Sequence, residues 1–66
     1  MLQKILVKIR KIRNENSLSQ EFMANELEIS QSQYGKIENG KVTLSFERLQ
    51  KIATILKVDI TTLTNE

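Results

Sequence analysis

A chain of 66 residues with a net charge of +2 is expected to form one small domain, residues 1–66, with a modest core. It contains neither cysteine nor histidine, which excludes disulfides, thiol chemistry, the commonest metal ligand and the usual general base. No metal site and no cofactor are therefore expected, and the chain does not read as an enzyme.

The first helix is predicted from Leu2, Ile5, Leu6, Ile9 and Ile12, which recur at three- and four-residue steps. Lys4, Lys8, Arg10, Lys11 and Arg13 are interleaved with them, either as an ordinary solvated face or as a surface facing a polyanion. This interleaving is unlike the separate charged and apolar regions of a signal peptide. No apolar run approaches the ~20 residues of a membrane span, so a cytoplasmic protein with no membrane contact is expected. The polar cluster Asn14-Glu15-Asn16-Ser17 ends the first helix.

Ser19 is suited to cap a second helix, with Glu21 in the first turn where the helix dipole favours an acid. Met23, Ala24 and Leu27 form its inward stripe. Ser30 opens a third helix as Ser-x-x-Gln, a capping box in which Ser30 and Gln33 would each bond the other's backbone N–H. Tyr34 and Ile37 face inward there, the Tyr34 hydroxyl reaching a polar edge, and Asn39-Gly40 closes the helix with Gly40 left-handed. Ser45 caps a fourth helix whose inward face reads Phe46, Leu49, Ile52, Ala53 and Leu56. Asp59 caps a last short helix containing Ile60 and Leu63. With no proline and no alternating strand pattern, the expected fold is all-α, a compact arrangement of five helices.

LSQEFMANELEISQSQYGKIENGK, followed by LSFERLQKIATILKVDI, resembles the helix-turn-helix domain of the Cro and phage-repressor type, also called the xenobiotic-response-element type. The resemblance runs from about Ile5 to Leu63. It implies a lambda-repressor-like fold with its helix-turn-helix core at about residues 19–38. The second helix would cross the DNA backbone and the third, about residues 31–38, would enter the major groove. On the matching positions, Gln31, Ser32 and Lys36 would read base edges. Gln20, Asn39 and Lys41 would hold phosphates, with Gln33 a further candidate beside its capping role. Arg13 and Glu38 match a pair that forms a buried salt bridge in some members. The chemistry agrees, because a glutamine amide pairs with adenine and lysine with guanine, while phosphate contacts position without specifying.

The chain departs from the family at three turns that usually carry glycine, where it has Ser17, Glu28 and Lys57. Gly35 lies inside the third helix, where glycine is unfavourable, and Phe22 occupies a position that is usually polar and should be partly exposed. The expected function is sequence-specific binding of double-stranded DNA by a transcriptional regulator of a bacterium or phage, associated with the nucleoid. A repressor that binds a palindromic operator as a homodimer is the leading form, with the dimer surface around Val58, Ile60, Leu63 and the exposed side of the fourth helix. The alternatives are the antitoxin-like component of a toxin–antitoxin pair, or a module of the same fold that engages a protein partner such as a toxin or antirepressor.

Overall fold

The computed structural model describes residues 2–65. Its elements are α1 (Leu2–Glu15), α2 (Gln20–Leu27), α3 (Gln31–Glu38), α4 (Phe46–Leu56) and α5 (Ile60–Thr64), and no strand occurs among the described residues. Each of the last four helices starts on a short polar side chain in extended conformation. The Oγ atoms of Ser19, Ser30 and Ser45 accept from the backbone N–H three residues on, at 2.9, 3.1 and 3.1 Å. Asp59 Oδ1 accepts from the N–H of Thr61 at 2.9 Å and from its hydroxyl at 2.8 Å, which holds the Asp59 carboxyl below its ordinary pKa. Such caps typically contribute about 1 kcal/mol each. In the short helices α2, α3 and α5 they offset part of the cost of forming the first turn.

The helix ends follow one plan. After α1, α2, α3 and α4 the chain turns through a left-handed residue: Ser17 (φ 57°), Glu28 (φ 61°), Gly40 (φ 74°) and Lys57 (φ 62°). At each, the next residue donates back across the turn: Leu18 to Arg13, Ile29 to Ala24, Lys41 to Lys36 and Val58 to Ala53, at 2.9, 3.0, 2.9 and 3.0 Å. In three of the four turns that next residue is apolar, Leu18, Ile29 or Val58, and packs against the core. A hydrophobic residue just past a left-handed cap is the usual companion of this motif. It explains why the chain tolerates Ser, Glu and Lys where glycine would be unstrained.

The core comprises Leu6, Ile9, Met23, Ala24, Tyr34, Ile37, Leu49, Ile52, Ala53, Leu56 and Leu63, drawn from all five helices. α2 packs on α3 and α4, α4 packs on α5, and α1 lies against α3, α4 and α5. Two expected inward residues are not core. Phe46 is 68% exposed and Leu2 42%. Each is the first residue of its helix, beyond the last turn that a neighbouring helix covers, so the helical period continues where the packing has stopped. Leu63, conversely, is 1% exposed and offers nothing to an external partner.

Candidate nucleic-acid interface

α3 presents two faces. Tyr34, Ile37 and Glu38 are buried, while Gln31, Ser32, Gln33 and Lys36 are exposed. Ser32 and Lys36, four residues apart, share a side of the helix, and Gln31 flanks them in the first turn. The side chain of Ser30 completes its half of the capping box, but Gln33 returns no bond to the Ser30 N–H. The Gln33 amide is left exposed, because the cap needs only one of the two bonds and solvent satisfies the other donor. Gly35 lies between these residues and α2. A Cβ added there would meet only the side-chain oxygen of Gln20, at 3.8 Å, so no internal crowding requires glycine at this position.

The last turn of α3 is fixed by a set of contacts centred on Glu38, whose side chain is wholly buried. Arg13 Nε donates to Glu38 Oε2 at 2.7 Å and Arg13 Nη2 to Oε1 at 3.2 Å. Arg13 Nη1 donates to the Leu18 carbonyl at 2.8 Å, tying the α1–α2 turn into the same cluster. The hydrogen bonds and charge of Glu38 raise the Arg13 pKa despite its burial. Planar, forked recognition of this kind is what a guanidinium provides and an ammonium does not. Gln20, at the start of α2, donates its Nε2 to Glu38 Oε1 at 3.3 Å. Gln20 therefore bridges α2 to α3, with its second amide hydrogen unassigned to any partner.

Tyr34 packs directly beside this pair. Its ring is fully buried, and its hydroxyl reaches the expected polar edge, the Arg13–Glu38 pair, without making a hydrogen bond to it. Burial, and then the neighbouring Glu38 carboxylate, push the phenol well above its ordinary pKa.

Arg10 is a contributor that the sequence did not single out. Its Nη1 donates to the Glu38 carbonyl at 2.7 Å. The other last-turn carbonyls of α3, those of Gly35, Lys36 and Ile37, accept from the N–H groups of Asn39, Lys41 and Gly40 at 3.0, 2.9 and 3.1 Å. All four terminal acceptors of the helix are thus satisfied. Only an arginine three residues before Arg13 on the same helix face hinted at this. Asn39 and Lys41 are exposed just past the end of α3.

The structure therefore brings Gln31, Ser32 and Lys36 together on the free side of α3, with Gln20 at one flank and Asn39 and Lys41 beyond its C-terminus. It offers amide, hydroxyl and ammonium groups suited to base edges and phosphates, and no grouping of acids fit to hold a metal exists among the described residues. Among the described residues no helix is long and apolar enough to cross a membrane. The family described as Helix-turn-helix matches residues 9–63. The chain is 37% identical over 57 residues to the control protein C.MunI of Mycoplasma sp, an alignment that spans 85% of this chain and 77% of that protein. No solved structure matches it. The chain belongs to the Cro/C1-type helix-turn-helix family of DNA-binding transcriptional regulators.

Proposed function

We propose that this protein is a sequence-specific repressor that binds a palindromic operator in double-stranded DNA as a homodimer and performs no catalysis. The carrying observation is the exposed row Gln31, Ser32 and Lys36 on a helix whose opposite face and C-terminal end are locked to α1 and α2. A rigidly held helix with a free amide-rich face suits base reading, because the side chains need not be ordered from scratch on binding. Gln31, Ser32 and Lys36 read bases in the major groove. Gln20, Gln33, Asn39 and Lys41 hold phosphates, and the Arg13–Glu38 bridge keeps α3 in position. Similarity to a protein named as a control protein supports a regulatory role. The protein would act in the cytoplasm, on the nucleoid, as a single domain.

A dimer supplies the affinity that one short recognition helix lacks, with half-sites about one turn (~34 Å) apart. Its surface is sought where apolar side chains remain exposed. Leu63 is buried and cannot serve, and the outer side of α4 carries Glu47, Gln50, Lys51 and Thr54. Phe46, the most exposed large apolar residue among the described residues, is the better centre. Phe46→Ser is expected to shift the sedimenting species from dimer to monomer and leave the helical content unchanged.

The direct test is selection of sites from a randomised duplex pool, followed by Gln31→Ala and Ser32→Ala on the selected site. Each substitution should cost about 1–3 kcal/mol on that site and much less on random sequence. Equal losses on both duplexes would remove the base-reading assignment.

A further inference from the structure

Between α1 and the C-terminal end of α3 lies a cleft of about 130 Å³ lined by Gln3, Leu6, Val7, Arg10, Glu38 and Asn39. Its available polar groups are mostly donors. Arg10 uses one N–H on the Glu38 carbonyl and has no salt-bridge partner among the described residues, so the rest of its fork is uncommitted. Gln3 and Asn39 are exposed at the rim and bring amide N–H groups. Two features that would repel an anion are already neutralised. The Glu38 carboxylate is taken up by Arg13 and Gln20. The terminal carbonyls of α3, the negative end of its dipole, all accept hydrogen bonds. What remains is a small concavity with the uncompensated positive charge of Arg10.

We infer that this cleft seats one backbone phosphate of duplex DNA, gripped by Arg10, Gln3 and Asn39, so that α1 takes part in docking. The inference rests on α3 entering the major groove, which places the residues just past its C-terminus against the strand that walls the groove. Arg10 is preorganised for the task, because its bond to Glu38 fixes the guanidinium before DNA arrives and little rotamer freedom is lost on binding. The same bond makes the contact cooperative with α3, since the group that holds the phosphate also holds the end of the reading helix.

The test compares wild type, Gln3→Glu and Arg10→Met on the pool-selected duplex and on a scrambled duplex of equal length, over a salt series. Gln3 is exposed, so Gln3→Glu should leave the melting temperature unchanged and weaken binding several-fold on both duplexes alike. Arg10→Met should make the slope of log affinity against log salt shallower by about 0.9, the contribution of one neutralised phosphate. Unchanged affinity for Gln3→Glu, or an Arg10→Met protein that melts earlier with an unaltered slope, would overturn the site and leave Arg10 as an anchor for α3 only. Stabilisation of wild type by inorganic phosphate alone, with DNA binding insensitive to both substitutions, would reassign the cleft to a free anion. If Gln31→Ala still abolishes site preference in those cases, the major-groove reading survives. A wild type that shows no site preference sinks both.

Discussion

Ser17, Glu28 and Lys57 adopt the left-handed conformation with φ near +60°, where a side chain that has a Cβ is strained by about 1–2 kcal/mol. Glycine would relieve that strain but add chain entropy to the unfolded state. The net gain from Glu28→Gly is expected to be about 0.5–1 kcal/mol, raising the melting temperature by several degrees for a chain of this size. Thermal unfolding by circular dichroism checks it, and an unchanged midpoint would show that the Glu28 side chain compensates elsewhere. Gly40 is the opposite case. It combines φ 74° with a would-be Cβ at 3.4 Å from Leu6 Cδ1, so Gly40→Ala should destabilise. The three non-glycine positions were legible in the sequence only through the family resemblance, which marks them as turns that usually carry glycine.

Tyr34 gives a pH signature. In the unfolded chain its phenol loses a proton near pH 10. In the folded chain burial and Glu38 hold that proton to higher pH. Below about pH 10 both states are protonated and nothing changes; above it the unfolded state binds fewer protons and stability falls as pH rises. Tyr34→Phe removes this component. Urea midpoints of the two proteins should therefore stay parallel up to about pH 10 and diverge above it, the variant declining less steeply. Because the hydroxyl has no partner, the variant should be no less stable at neutral pH.

At the scale of the element, the sequence of α3 gives little to its own stability. It has only eight residues, one of them Gly35, and its cap is one-sided. Beyond the backbone of α3 itself, a Cβ at Gly35 would meet only Gln20 Oε1, at an ordinary contact distance of 3.8 Å, so Gly35→Ala should stabilise the protein by about 0.5–1 kcal/mol in urea denaturation. Loss of DNA affinity in that more stable variant would show that the duplex approaches the helix backbone there. The caps at Ser19, Ser30, Ser45 and Asp59 could be read from the chain because a cap depends on neighbours two or three residues away. The exposure of Phe46 could not, because the helical period says which side of α4 a residue occupies and not whether another helix reaches that far. Gln33 failed as a reciprocal cap for a similar reason, since the motif states that the bond is possible and solvent competes for it on equal terms.

At the scale of the whole molecule, the Arg13–Glu38 bridge joins α1, the α1–α2 turn and α3, with Gln20 adding α2. A surface pair would contribute about 0–1 kcal/mol. This one leaves Glu38 fully enclosed, so Arg13→Met alone should cost about 3–5 kcal/mol by stranding a buried charge. The double variant Arg13→Met, Glu38→Leu should recover much of that loss in a denaturation cycle. Recovery of nothing would mean the remaining partners, Leu18 and Gln20, carry the energy instead. The fold as a whole was legible from periodicity, caps and family pattern. The cluster that orients the candidate site was only partly so: Arg13 and Glu38 stood out by resemblance, whereas Arg10 on a backbone carbonyl and Gln20 on Glu38 join residues 28 and 18 positions apart and leave no periodic trace.

The fastening of α3 to α1 through Glu38 divides the ways in which this regulator can be broken genetically. On the proposed base-reading role, alleles at Gln31 or Ser32 would fail at particular operators and could be rescued by compensating base changes there. Alleles at Arg13 would fail at every operator, with no base change able to rescue them. Their suppressors would instead fall at scattered codons that restore folding, Glu28→Gly among them, and would act without regard to the DNA sequence being bound.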